Sequence, residues 1–294
     1  MRPQVKAALI LSSAMLSFSL MGALVKVAGE TIPSVEMVFF RGIVGLPILA
    51  VLARWRGISL AGRRRGLLLL RGCFGSAALM LFFYAIANIP VGTAILLNQS
   101  APIFVLPLAA IVLRERIGWK HALLVLIALG GVTLVLRPTA DSVSWPAVAA
   151  LVSAVLAAVA YVLIRVLTAS ERSLTIVFWF TATATLSSVP LMLPVFELPD
   201  ARTAAVLVSM GALAALGQIL MTVAYRHGEA GRLAAIGSLG AVFGAGWDLL
   251  LWSHLPDAPT ALGGGIAIAA CAALQVIRAP RGTPADGAGG PPPR

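Results

Sequence analysis

The sequence predicts an all-α polytopic membrane protein, its ten transmembrane helices arranged as two inverted five-helix repeats. Three observations predict it: apolar runs of spanning length recur along the chain, basic residues gather on alternate separators, and the second half aligns on the first in one register. Of 294 residues 60% are hydrophobic and 11% charged, whereas a soluble domain is about 25% charged. With a mean hydropathy of +0.97, the chain lacks the charge to cover a water-facing surface, so lipid is the solvent for most of it. Each crossing takes about 20 apolar residues, and they must be helical because lipid offers backbone N–H and C=O groups no partner.

The first apolar run, 7–27, follows Arg2 and Lys6 as a signal peptide would. It is long enough to span, and no clear cleavage site and soluble domain follow it, so it reads as helix one. Glu30-Thr31-Ile32-Pro33 separates it from 34–54, the basic Arg54 to Arg65 segment precedes 67–87, and Asn88-Ile89-Pro90 precedes 91–112. The remaining runs are 119–137, 146–167, 174–195, 203–225, 233–252 and 260–278, the last introduced by Pro256-Asp257-Ala258-Pro259. From residue 279 the chain is rich in proline and glycine and cannot bury a core, so 279–294 is expected to be a disordered cytoplasmic tail.

The net charge of +11 is spread between apolar runs rather than gathered in a basic domain. It therefore points to membrane lipid as a partner and not to nucleic acid. With both termini cytoplasmic, the inner set is Arg2, Lys6, Arg54, Arg56, Arg63, Arg64, Arg65, Arg71, Arg114, Arg116, Lys120, Arg165, Arg172, Arg226, Arg232, Arg278, Arg281 and Arg294. Only Lys26, Arg137 and Arg202 remain outside. That excess on one face fits the positive-inside bias and an integral protein of the cytoplasmic (inner) membrane.

At an offset of 139 residues Ala23–Val27 falls on Val162–Val166, Ser34–Phe40 on Ser173–Trp179, Gly92 on Gly231 and Phe104 on Phe243. The register divides the chain into repeats at 1–139 and 140–278. Five spans are an odd number, so the second copy enters the bilayer inverted, an architecture of many secondary transporters with a substrate site near the midplane.

The chain resembles the drug/metabolite transporter superfamily in its EamA-like ten-helix branch. The resemblance rests on Phe39-Phe40-Arg41, Leu70-Arg71-Gly72, Phe82-Phe83-Tyr84-Ala85 with Ile89-Pro90, Ala101-Pro102 and Glu115-Arg116. The second copy departs from this pattern, with His254 in register with Glu115 and Ala241 with Pro102. The resemblance implies a carrier of small metabolites, with efflux of an amino acid or related compound first and uptake of a vitamin or nucleoside-like compound second.

Several polar residues at span depth are candidates for substrate binding. Arg41 lies seven residues into the second span, about 10 Å from its boundary. A guanidinium at such depth costs about 2.5 to 3.5 kcal/mol, so it should face protein or a wet cavity. It either anchors a substrate carboxylate or phosphate, or it snorkels or pairs with Glu36. Asn98 and Gln99, ahead of Ser100 and Pro102, point about 100° apart, so at least one faces the interior, lining a cavity or bonding another helix. Tyr84, Tyr161, Gln218 and Ser238, the last in register with Gln99, complete the set. Gly240 and Gly244 have the GxxxG spacing of close helix packing. Asp248 either couples protons or pairs with a cation, and Cys73 and Cys271 read as small buried packing residues.

An enzyme is not expected. His121, His227 and His254 fall at loop edges without ligand spacing, no nucleophile and base pair at depth, and no phosphate-binding loop is present. No cofactor or metal is implied. A channel would need a ring of like groups from an oligomer. The expected partner is a small-molecule substrate, moved by alternating access in a monomer or homodimer.

Overall fold

The computed structural model describes residues 3–113, 119–136, 144–227 and 239–276. Eleven α-helices and no strand lie among the described residues: α1 (Pro3–Ala28), α2 (Ser34–Trp55), α3 (Arg65–Asn88), α4 (Val91–Asn98), α5 (Ala101–Leu113), α6 (Trp119–Leu136), α7 (Trp145–Leu167), α8 (Ser173–Met192), α9 (Ala201–His227), α10 (Leu239–Trp252) and α11 (Ala258–Val276). Six helices are long and apolar enough to cross a bilayer. The outer sides of these and the shorter helices carry the large apolar residues that a lipid belt requires, Ile111, Leu126, Leu186 and Leu250 among them.

One predicted span, 91–112, is not a continuous helix. It breaks at Gln99-Ser100 into α4 and α5. The cause is local, because Pro102 has no N–H to give to the Asn98 carbonyl. The turn takes up part of the deficit, with Ser100 Oγ donating to the Leu97 carbonyl at 2.6 Å and the Ile103 N–H to the Ser100 carbonyl at 2.9 Å. Broken helices of this kind are tolerated at membrane depth where they are enclosed by protein or line a cavity.

The most extensive helix pairings follow a two-fold exchange under the 139-residue register. The packing of α1 on α9 is matched by α7 on α3, α3 on α8 by α9 on α2, and α1 on α10 by α7 on α5. The pairs α2 with α8 and α6 with α11 map onto themselves and so lie on the exchange axis. The copies run in opposite senses, because the C-terminal ends of α1 and α7 lie at opposite ends of α3. Lys26 Nζ, near the end of α1, donates to the Ile89 carbonyl just beyond α3 at 3.2 Å. Glu171, just beyond α7, accepts the Arg63 and Arg64 N–H groups at 2.6 and 2.7 Å where α3 begins.

The loop from α2 to α3 is fastened to the second copy by two more bonds. Trp179 Nε1 donates to the Leu60 carbonyl at 2.8 Å and Thr175 Oγ1 to the Ser59 carbonyl at 2.9 Å. Gly62, at φ 68°, makes the turn beneath them. At the start of α9, hydrogen bonds from the Thr203 hydroxyl and N–H hold the Asp200 carboxyl below its ordinary range.

Two sequence expectations change. Arg71, counted with the headgroup-facing basic residues, is buried six residues into α3, because α3 already begins at Arg65. Cys73, expected to be a buried packing residue, is exposed, while Cys271 is buried. Glu115, Arg116, Arg137, Gly237, Ser238 and the 279–294 tail lie outside the described residues.

Candidate functional site

The centre of the site is the crossing of α2 and α8. Helix α2 buries a stripe at helical spacing, Val38, Arg41, Gly42, Gly45 and Leu49, with one guanidinium among its apolar and small residues. Gly42 lies so close to Thr185 that a Cβ there would stand 2.9 Å from the threonine Cβ. On α3, a Cβ at Gly72 would stand 2.6 Å from that of Thr183. Two hydroxyls of α8 at this crossing bond within their own helix, Thr181 Oγ1 to the Val177 carbonyl and Thr185 Oγ1 to the Thr181 carbonyl at 3.0 and 2.8 Å. They therefore leave their neighbours' polar groups unanswered.

This close approach places Arg41 Cζ 5.8 Å from the ring centre of Phe180 and Arg71 Cζ 4.1 Å from the same centre. Phe180 occupies the position in the second copy that Arg41 occupies in the first, so two register mates meet at the axis. Gly75, one turn beyond Arg71, leaves room for the ring: a Cβ there would lie 2.9 Å from Phe180 and 3.2 Å from an Arg71 terminal nitrogen. Both arginines are more than nine-tenths buried. Arg41 Nε, Arg71 Nε and one Arg71 terminal nitrogen have no hydrogen-bond partner. The Glu36 pairing considered from sequence does not form. Glu36 is fully buried, accepts the Glu197 N–H at 3.3 Å, and leaves its other oxygen unpartnered.

The other predicted residues divide. Tyr161 on α7 joins the arginines, its ring about half accessible, at 51%, and its hydroxyl within electrostatic reach of Arg71. Asn98 makes an interhelical bond, Nδ2 donating to Ser153 Oγ at 2.9 Å, while Ser153 Oγ donates to the Ala78 carbonyl at 2.7 Å. Gln99 is half-buried at the α4–α5 break, its amide nitrogen 3.1 Å from where a Gly240 Cβ would stand. Gln218 is half-buried on α9 and has a partner. Tyr84 is 41% exposed and lies about 140° around α3 from Arg71 at 100° per residue, so it does not join the arginines. Ser238 is outside the described residues.

Sequence reasoning missed Arg71, Phe180 and Ser153 as site residues. The available signal for Arg71 was its place after a glycine-poor apolar turn, inside rather than before a span. Ser153→Ala removes the link between α7, α4 and α3, and a loss of about 1 kcal/mol is expected, read as a lower thermal unfolding midpoint.

A second polar cluster joins the copies where α4 begins. The N-cap residue there is Pro90, which offers no side-chain hydrogen bond. The cap comes instead from α10: Asp248 accepts the Val91 N–H at 2.8 Å on one oxygen and the Gly92 N–H at 2.7 Å on the other. Lys26 Nζ stands 3.6 Å from the same carboxylate and 4.8 Å from the Trp252 ring centre. Asp248 thus pairs with a cation, and it also neutralises the positive end of α4. The GxxxG expectation holds here, since a Cβ on Gly244 would stand 3.0 Å from the Gly92 Cα.

A lipid-facing bundle of two exchanged copies, enclosing a broken helix and a charged centre, defines a polytopic membrane protein, and its family and relatives are transporters rather than enzymes. The chain belongs to the EamA-like transporter family, which matches residues 5–137 and 144–275, one match to each copy. It is 41% identical to the pseudopaline exporter CntI of Pseudomonas aeruginosa over 88% of this chain and 92% of that one. It is 28% identical to a riboflavin transporter of Rhizobium johnstonii over 63% of this chain and 62% of the relative. A solved crystal structure shares the fold at TM-score 0.62 and 21% identity, covering 92% of this chain and 96% of that one.

Proposed function

We propose that this protein is a secondary exporter that moves a small metabolite of the pseudopaline type across the cytoplasmic membrane. Two inverted five-helix repeats, ten crossings in all with both termini cytoplasmic, would expose one mid-depth site to each side in turn. The observation that carries the reading is the two-fold exchange of helix pairings around a site built at the axis, together with 41% identity to an exporter along nearly the whole chain. Repeats that pack by exchange have two equivalent ways to tilt against each other, which is what alternating access requires.

The test is export. In a pseudopaline-producing strain lacking its own exporter, this protein should restore pseudopaline to the medium. Intracellular retention despite membrane insertion would contradict the cargo. An amino acid, the cargo expected from sequence, and riboflavin, suggested by the second relative, are the next compounds to assay.

A further inference from the structure

We infer that Arg41 and Arg71 together form a binding site for a substrate bearing two negative charges, held beside the Phe180 ring. The inference rests on the transporter reading and names the charge of the cargo.

Arg41 Nε, Arg71 Nε and one Arg71 terminal nitrogen stand inside the bundle with no hydrogen-bond partner, and neither arginine has an ion-pair partner among the described residues. Desolvation of that kind persists only where something compensates it. The ring quadrupole of Phe180 supplies part, since Arg71 sits 4.1 Å from its centre, but it carries no net charge. The two buried acids among the described residues are committed or turned away. Asp248 serves Lys26 and two backbone amides. Glu36 lies five residues before Arg41 on the same helix, about 140° around it, and bonds to the loop that precedes α9.

The fold does not require these cations. In the second copy the positions of Arg41 and Arg71 hold Phe180 and Met210, both buried in the hydrophobic core, and the equivalent helices form there without charge. A structural arginine would also have made a bond, as Lys26 does to Asp248, to the Ile89 carbonyl and over Trp252. What the two guanidiniums share is an unmet demand for anions.

That demand sums to two charges. The guanidinium carbons lie 5.8 and 4.1 Å from one ring centre, so they are no more than about 10 Å apart, and a single carboxylate would leave one of them uncompensated. A molecule with two acid groups separated by a few bonds, or one doubly charged phosphoryl group, satisfies both. The Tyr161 hydroxyl, within electrostatic reach of Arg71, adds an uncharged group.

The experiment uses the purified full-length protein and four variants, Arg41→Gln, Arg71→Gln and the two Arg→Lys changes, with succinate, butyrate and inorganic phosphate as probes of thermal unfolding. Succinate is expected to raise the wild-type midpoint saturably, and butyrate to need at least about tenfold higher concentration. Stabilisation by phosphate and not by succinate would support the same site and assign both charges to one phosphoryl group. Each Arg→Gln change should leave the ligand-free midpoint equal or higher, because an uncompensated cation is gone, and should weaken dianion stabilisation about tenfold to a hundredfold. Arg→Lys should retain part of it.

A lower ligand-free midpoint in both Gln variants, or equal stabilisation by succinate and butyrate, overturns the proposal. Pseudopaline export separates this failure from failure of the transporter reading. Export by the wild type that neither Arg→Gln change alters would remove the dianion site and leave the exporter standing. Absence of export with dianion stabilisation intact would do the reverse.

Discussion

Asp248→Ala is expected to lower the stability of the folded bundle by about 3 to 5 kcal/mol, the scale seen when one partner of a buried ion pair is removed. Three groups lose their acceptor at once. The Val91 and Gly92 N–H groups open a helix whose N-cap is a proline and has no side-chain substitute. Lys26 is left with the Ile89 carbonyl and the Trp252 ring. Asp248→Asn retains an acceptor for one amide but surrenders the charge that faces both Lys26 and the helix dipole, so it should fall between wild type and Ala. Unfolding midpoints of the two variants in one detergent check the order. A midpoint for Asp248→Ala within about 1 °C of wild type would contradict the capping role.

Gly42→Val should damage the site more than the fold. A Cβ at residue 42 meets the Thr185 side chain, whose Cβ would be 2.9 Å away, and Thr185 cannot swing clear because its whole helix is packed against α2 and α3. Overpacking of this kind costs about 1 to 3 kcal/mol. The only relief is for α8 to move away from α2, which carries Phe180 away from Arg41. Export is therefore expected to drop tenfold or more while the protein still reaches the membrane, and Thr185→Gly in the same chain should recover part of it. Unchanged export by Gly42→Val would mean that the α2–α8 crossing does not position the site.

The helices were legible because lipid allows so few solutions. A spanning run must be long, apolar and helical, and the separators at Pro33, Pro90 and Pro259 mark real ends. The register of 139 residues was legible as well, and it already paired Arg41 with Phe180. That the two side chains touch follows from the self-exchange of α2 and α8, which no single stretch of sequence displays. The break at Gln99 was half visible in Pro102, whose missing N–H leaves a carbonyl free one turn earlier; that the helix would stop there depended on packing around it. Arg71 was hidden by its neighbours, since only five residues separate it from Arg65 and a basic run at a span boundary reads as headgroup contact. Asp248 was visible as a buried acid, but its partners are 157 and 156 residues away in the chain.

Alternating access to the charged centre is tested most directly by thiol labelling of Tyr161→Cys in a chain with Cys73 and Cys271 replaced by alanine. A membrane-impermeant reagent applied separately to right-side-out and inside-out vesicles should label residue 161 from both sides, with pseudopaline slowing the reaction from each. Labelling from one side alone, or from neither, would contradict a central site presented in turn to the two faces of the membrane.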